Sequence, residues 1–153
     1  MSLQTVVNEK LAFGVVGSFY DYSPRIVDPK IVEAGSIGCA FTLDASDPSK
    51  AVLGGSGVFG GIAVNSKEYT ITGLGASLNF KSGDIAQLCS MGRIVIKAEN
   101  AVSVGDAAFF NETTGEITAG TSGATIEGYT EIAGSMFVEV DSTQGGLAVL
   151  ELK

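Results

Sequence analysis

Residues 92–120 carry the pattern that decides the fold class: G-R-I-V-I-K-A-E-N-A-V-S-V-G-D-A-A-F-F-N-E-T-T-G-E-I-T-A-G. At the start of this stretch, Arg93, Val95 and Lys97 alternate with three apolar residues. A period of two with β-branched residues is typical of a strand that has one polar and one buried face. The stretch therefore begins with a predicted β-strand.

Two turn signals divide the rest of this stretch. Gly105-Asp106 is a turn dipeptide, and Asn111–Gly115 is a polar segment that ends in glycine. The extended runs Ala107–Phe110 and Glu116–Thr118 follow them, so the stretch predicts three short strands in a meander. The same dipeptide recurs at Gly83-Asp84 before another apolar run, which predicts a similar turn that begins a strand.

The composition indicates one all-β domain. The chain has 153 residues, enough for a core that needs no disulfide or metal. Apolar residues make up 45% and charged residues only 17%, so much of the surface is small and neutral and suits contact with other protein. The 21 glycines are about twice the average share, which favours many tight turns between strands.

The charge argues against nucleic acid and membranes as partners. The net charge is −8, and none of the nine basic residues is next to another, whereas phosphate binding needs clustered Lys and Arg. Anionic lipid would also repel this chain. The apolar patch Leu11–Phe19 follows Asn8-Glu9 and precedes no small-residue cleavage site, so it does not predict a signal peptide.

No residue pattern predicts catalysis, a metal or a cofactor. The chain has no histidine, which removes the commonest metal ligand and the commonest general base. Its two cysteines, Cys39 and Cys89, could form one disulfide, but both lie in apolar runs and are predicted to be free, buried thiols. Three carboxylate pairs are interpreted as solvated loop faces or strand ends: Asp44/Asp47, Glu112/Glu116 and Glu139/Asp141.

The sequence matches a dinucleotide-binding fingerprint, but the residues around the match do not fit such a site. Gly55, Gly57 and Gly60 give G-x-G-x-x-G, but β-forming residues follow where such a site needs a helix. We interpret these glycines as a turn that enters a strand over Phe59–Val64. Further predicted strands are Ala34–Leu43 with Ile37, Cys39 and Phe41 on one face, Tyr69–Thr72, Ile85–Cys89, Ala124–Ile126 within an exposed loop, and a hairpin or crossover of Ser135–Val140 with Leu147–Leu152.

The first 32 residues differ from the rest of the chain. They concentrate glycine, proline and aromatic residues, and no strand period persists in them. They could cover an edge of the domain's own core, or they could form an arm that lies on a neighbouring molecule, since aromatic side chains give contact area at low entropic cost. We divide the chain into an arm, residues 1–32, and a β domain, residues 33–153.

Three segments resemble one known family. They are Met91–Lys97 with Ala101-Val102 and Gly105–Phe110, then Phe13–Phe19 followed by Ser23-Pro24-Arg25, and the ending Gly145–Leu152. Taken together in chain order, they resemble the structural cement proteins of tailed phages, which decorate capsids. The family pattern often has Pro and Asn where this chain has Phe13 and Ser23.

The resemblance implies a fold, a function and partners. The expected fold is a single-domain antiparallel β-sandwich, jelly-roll-like, with an extended N-terminal arm; a small β-barrel is the alternative. The expected protein is made in the host cytoplasm and lies on the outer capsid surface of the virion. There it binds the major capsid protein, bridges neighbouring subunits as a homodimer or homotrimer, and resists internal DNA pressure. The candidate capsid-contact residues are Phe13, Val15, Phe19, Tyr20, Tyr22, Pro24 and Arg25.

A second class of function stays open at this point. A carbohydrate-binding or adhesion β-module on a virion surface would have the same strand signals. Such modules commonly use exposed Trp or Tyr, or bound calcium, and this chain has no Trp and four Tyr. An enzyme is not expected, because no nucleophile, general base or metal site is predicted.

Overall fold

The computed structural model describes residues 14–65, 79–141 and 146–153, and these residues form an antiparallel all-β fold. The strands are β1 Ile26–Val32, β2 Ala40–Leu43, β3 Ala51–Leu53, β4 Phe59–Ala63, β5 Asp84–Lys97, β6 Ala107–Asn111, β7 Ile117–Gly120, β8 Tyr129–Glu131, β9 Met136–Val140 and β10 Leu147–Leu152. Within the described ranges there is no helix, and hence none long and apolar enough to cross a membrane.

The strands form two sheets. The larger sheet has seven strands in the order β3-β2-β4-β5-β10-β9, with β1 also paired to β5, and the smaller sheet has the order β7-β6-β8. The predicted all-β, antiparallel, single-domain fold is confirmed. The sheets do not close into a barrel, and the jelly-roll connection is not confirmed.

The 14-residue strand β5 pairs with three other strands of the larger sheet, β1, β4 and β10. Its first half pairs with β1, from Val32 opposite Asp84 to Ile26 opposite Met91, and also with β4. Its second half pairs with β10, from Gly92 opposite Leu152 onward. Strands from both ends of the chain therefore meet on β5.

Strand β5 bends sharply between these two halves. Gln87 O accepts a hydrogen bond from Val64 N, the next residue Asn65 donates to Gly17 O, and Gly17 N donates to Val95 O. These linked bonds hold the carbonyl oxygens of Gln87 and Val95 within about 16 Å. A straight strand would separate them by about 26 Å, so the strand cannot be straight.

A β-bulge at Ser90 and a glycine at position 92 produce the bend. Val27 pairs with Cys89 but Ile26 pairs with Met91, which leaves Ser90 as an extra residue on β5. Gly92 has φ of +129°, and a Cβ placed there would lie 3.0 Å from the Cβ of Arg25. The chain crosses the strand at this point, and the positive φ and this tight contact together favour glycine.

The larger sheet curls around a core of its own. Val32, Ala86, Leu88 and Phe41 enter a buried cluster inside the curl, and Ile31 N donates to Ser49 O where β1 approaches β3. The main core lies between the other face of β4, β5 and β10 and the three-stranded sheet; its largest members include Phe110, Phe137, Ile94, Ile96 and Leu150.

The three-stranded sheet is tied to the larger sheet by backbone contacts. Ala40 N donates to Gly115 O over 2.7 Å, and Gly55 N donates to Glu112 O over 2.7 Å. The Asn100 side-chain amide extends the free edge of β7: it donates to Ala119 O and accepts from Ala119 N, each over 2.8 Å. Two sheets of unequal size thus form one packed unit.

Several strand predictions are wrong in detail. The predicted meander fails, because β5 pairs with β1, β4 and β10, and only β6 and β7 form a hairpin. Val95 is buried, so the predicted polar face of its strand is not polar at this position. The strand predicted over Ala34–Leu43 begins only at Ala40, since Gly35 and Gly38 both have positive φ.

Other predictions are confirmed. Strand β4 begins at Phe59 after the turn that contains Gly55 and Gly57, with Gly60 inside the strand, and β9 and β10 form an antiparallel hairpin. The loop after Gly120 is exposed, but Ala124–Ile126 forms no strand. Cys39 and Cys89 are free and buried, and burial raises the pKa of the Cys89 thiol to about 11. The strand predicted over Tyr69–Thr72 lies outside the described residues.

The boundary predicted at Val32 stays a prediction. Within the segment assigned to the arm, β1 is paired with β5 over its seven residues. Whether residues 1–32 also act as an arm on a neighbour is a separate matter from this pairing. The described part of the segment is in any case hydrogen-bonded to the domain.

Gly17 and Gly123 offer a matched test of the packing at the N-terminal segment. Their φ angles are +83° and +80°, so alanine is strained equally at both sites. A Cβ at Gly17 would collide with Ile37 Cγ2 and lie 2.9 Å from Asn65 N, whereas nothing lies within 4 Å of one at Gly123. We expect Gly17→Ala to lower the free energy of unfolding by about 2–5 kcal/mol and Gly123→Ala by about 1 kcal/mol. Equal losses in urea denaturation would contradict this packing.

Candidate contact surface

The N-terminal segment forms part of the domain through its backbone. Gly17 N donates to Val95 O over 2.8 Å, Val95 N donates to Ser18 O over 2.9 Å, and Tyr20 N donates to Arg93 O over 3.0 Å. Residues 17–20 thus run along β5 as an additional extended segment. The side chains that follow are held in fixed positions relative to the sheet.

Two of the candidate contact residues anchor this segment rather than face outward. Phe19 is half-buried against the main core, and the guanidinium carbon of Arg25 lies 4.2 Å from the centre of its ring. Tyr20 is also half-buried, and its hydrogen bond with the Glu139 carboxylate raises the pKa of its phenol. Sequence reasoning grouped these aromatics as one surface; in the structure Phe19 packs against the core and Tyr20 bonds to Glu139, and their contact with a capsid stays a prediction.

The other described candidates point to solvent. The side chain of Tyr22 is fully exposed, that of Val15 is 60% exposed, and Pro24 and Arg25 are exposed as well. Tyr22, Pro24 and Arg25 belong to residues 21–25, which we call the contact loop. Phe13 lies outside the described residues.

An ion-pair network fixes the contact loop to the strands beneath it. Arg93 Nε lies 2.9 Å from Glu151 Oε2, and Arg93 Nη1 lies 3.3 Å from Asp21 Oδ2. The Ser23 hydrogen bonds to the Asp21 carboxylate, reinforced by Arg93, lower the pKa of that carboxyl. Glu151 raises the pKa of Arg93. The loop is therefore held at Asp21 and displays Tyr22 beyond it.

Two exposed residues beside the loop were missed by the sequence analysis. Ile26 and Met91 pair across β1 and β5, and both are exposed. The bulge at Ser90 changes which side chains face outward at this point, and no residue type in the sequence marks it. A cleft of about 180 Å³ lies alongside, lined by Ser23, Pro24, Met91, Gly92, Arg93, Glu151, Leu152 and Lys153.

Elsewhere the polar motifs serve local structure. The Asp44 and Asp47 carboxylates accept hydrogen bonds from Ser46 and Ser49, which lower the pKa of both acids. The Gly55 amide of the fingerprint-like turn donates to Glu112 O, so that amide serves the contact between the two sheets. No group of three Cys, Asp or Glu side chains that could hold a metal occurs in residues 14–65, 79–141 and 146–153.

A family model described as "Structural cement protein (E217 gp24/Pam3 gp6)" matches residues 3–153. The chain belongs to the phage structural cement protein family. The resemblance seen in the sequence is thereby confirmed. As a member of this family of structural proteins, the chain is a structural protein of the virion capsid.

Solved structures agree on the fold. A chain from "The capsid of Myoviridae Phage XM1" is similar with a TM-score of 0.69 and 16% identity, over 100% of this chain and 98% of that chain. "The crystal structure of head fiber gp8.5 N base in bacteriophage phi29" gives a TM-score of 0.45 and 14% identity, over 85% of this chain and 95% of that chain, which is too low to carry an argument. No curated protein matches the sequence.

Replacing Arg93 tests whether its ion pairs hold the contact loop. We expect Arg93→Met to lower the free energy of unfolding by no more than about 1 kcal/mol, because both pairs are partly exposed. The loop itself should loosen, so trypsin should cleave after Arg25 at least about threefold faster. Lys50→Met, which removes a longer pair with Asp47, is the control and should leave this rate unchanged. An unchanged rate in Arg93→Met would contradict the anchoring role.

Proposed function

We propose that this protein binds the outer surface of a phage capsid, bridges neighbouring major capsid protein subunits and stabilises the shell against the pressure of packaged DNA. The observation that carries the proposal is the contact loop, whose exposed Tyr22, Pro24 and Arg25 are presented by a segment bonded to β5. Family membership supports the choice of a capsid as the partner.

The rigid presentation of the loop favours tight contact. Backbone hydrogen bonds to Arg93 and Val95 and the Arg93 ion pair already order this segment in the free protein. Little conformational entropy then remains to be lost on binding. An exposed Tyr next to an Arg is also the residue composition of an interface hot spot.

Bridging follows from multivalency. A copy that touches two subunits converts its second contact into an intramolecular one, which strengthens the whole without any new kind of contact. Homodimers or homotrimers at the symmetry axes of the shell would multiply the effect. The net charge of −8 favours the outer surface, since packaged DNA repels an acidic protein.

The proposed role needs no chemistry, and we propose that the protein is not an enzyme. It needs no cofactor or metal either. The carbohydrate-binding alternative stays a prediction, and no feature of the described residues favours it over capsid binding.

Replacing Tyr22 tests the contact loop directly. Because its side chain is fully exposed, Tyr22→Ser should leave thermal stability unchanged, while the affinity for empty capsids of the cognate phage should fall at least about tenfold. Val104→Ser, which also alters an exposed apolar side chain, is the matched control and should bind as the wild type does. Co-sedimentation with capsids measures both. Wild-type affinity in Tyr22→Ser would remove the loop from the interface. Deletion of residues 1–25 is a poorer test, since it also removes Phe19 from the core.

Shell stability tests the bridging role. DNA-filled particles that lack the protein should release their DNA at a lower temperature, and added wild-type protein should restore the release temperature. Dye-accessible DNA during heating is the measurement. Wild-type protein that binds the particles without raising this temperature would leave binding intact and contradict stabilisation.

A further inference from the structure

The charges of this chain are segregated between its two parts. Residues 1–97 contain eight basic and eight acidic residues, whereas residues 98–153 contain nine acidic residues and a single basic one, Lys153. The whole net charge of −8 therefore lies in residues 98–153, where six carboxylates belong to the three-stranded sheet and its connections and three, Glu139, Asp141 and Glu151, belong to β9, β10 and their connection. The part that includes β1 to β5 is electrically neutral overall.

The carboxylates of the three-stranded sheet and its connections are held by neutral donors. The Tyr129 hydroxyl donates to Glu99 over 2.9 Å, and the Thr130 hydroxyl donates to Glu112 over 2.7 Å. Glu131 accepts from the Ser122 hydroxyl and the Gly123 amide, which lower the pKa of its carboxyl. These bonds leave the negative charges in place, so this surface stays acidic and well hydrated.

Exposed apolar side chains are segregated in the opposite sense. Within the described residues, eight of the nine large exposed apolar side chains lie in the neutral part, and only Val104 lies in the acidic part. The eight are Val15, Tyr22, Ile26, Ile31, Val52, Val58, Ile85 and Met91. Charge and exposed apolar area thus divide the surface in the same way.

Three of these side chains lie on the outward face of β1, β3 and β5, and we call them the apolar strip: Ile31, Val52 and Ile85. Ile31 pairs with Ile85 across β1 and β5, whereas their neighbours Val32 and Ala86 enter the core inside the curled sheet. Successive strand residues face opposite sides, so Ile31 and Ile85 face outward.

The strip continues from β1 onto β3. Ile31 forms a bridge with Lys50, two residues before Val52. A cleft of about 290 Å³ lies between Ile31 and Val52 and is rimmed by Glu33, Asp44 and Lys50. The contact loop joins the other end of β1 at Ile26, which is on the opposite face of the strand from Ile31. The five residue steps from Ile26 to Ile31 span about 16 Å along the strand.

We infer that the apolar strip seats on the capsid, as does the contact loop at the other end of β1, and that the acidic three-stranded sheet faces away from the shell. The inference rests on the proposed function and specifies its interface. The partner surface it fits is a capsid protein surface with exposed apolar side chains and little net charge.

The electrostatics of binding favour this orientation. Burying the acidic surface against protein would remove water from several carboxylates that have no cationic partner among the described residues, which is costly. Burying the strip removes apolar area from water and desolvates charges present in equal numbers.

Three lysine variants and a salt series test the inference by capsid co-sedimentation. Ile85→Lys and Val52→Lys place a charge on the strip, and Val104→Lys is the control, because it makes the same change of net charge at an exposed apolar residue of the acidic part. We expect the strip variants to weaken binding at least about tenfold and the control by less than about twofold. Wild-type binding should change less than about threefold between 0.1 and 0.5 M NaCl.

Each outcome decides between the orientation and its competitors. Wild-type protein that fails to bind capsids would overturn the proposed function itself and this inference with it. Wild-type binding with undiminished affinity in folded strip variants, or an equal loss in Val104→Lys, would overturn the orientation alone. If Ile85→Lys instead converts a free oligomer to a monomer and leaves capsid affinity unchanged, the strip joins copies of this chain, and the inference is wrong. Thermal unfolding verifies that each variant is folded. If Ile85→Lys does not fold, the capsid affinity of Val52→Lys decides whether the orientation stands.

Discussion

The crossing of the chain over Gly92 is the constraint on which the rest of the structure depends. Gly92 has a positive φ that strains any other residue, Arg25 packs closely against it, and the bulge at Ser90 lets the strand bend there. The bend divides β5 between β1 and β4 on one half and β10 on the other. Both core clusters and the position of the N-terminal segment follow from it.

The same crossing links the fold to the contact surface. The contact loop lies directly over the bend, and Arg93, the residue after Gly92, holds it through Asp21. A loop in this position is supported by the strand that pairs with β1, β4 and β10 rather than by other loops. Family membership makes this chain a capsid protein, and the proposed capsid contact would use a loop that is held by ion pairs and backbone bonds to β5.

The sequence predicted the local structure well and the long-range pairing poorly. The two Gly-Asp turns form in the same way: the amide of Lys81 donates to Asp84 Oδ2, and that of Ser103 donates to Asp106 Oδ2. Alternation and turn residues are local signals, so β4, β6, β9 and β10 were found. The pairing of β5 with β1 and β10 depends on residues fifty or more positions away, and no local pattern encodes it. For the same reason the partial burial of Phe19 and Tyr20 and the exposure of Ile26 were missed.

The sharing of β5 between both ends of the chain also limits when the protein can fold. A chain emerging from the ribosome that has reached Lys97 already contains β1, β4 and the whole of β5, but the Gly92–Lys97 half of β5 still lacks β10. Its apolar residues Ile94 and Ile96 then have no complete core to enter. Pairing over such sequence distances is slow and favours late, cooperative folding. The mature fold is therefore completed only after synthesis has passed residue 152, and until then the half-paired strand is the segment most exposed to misassociation.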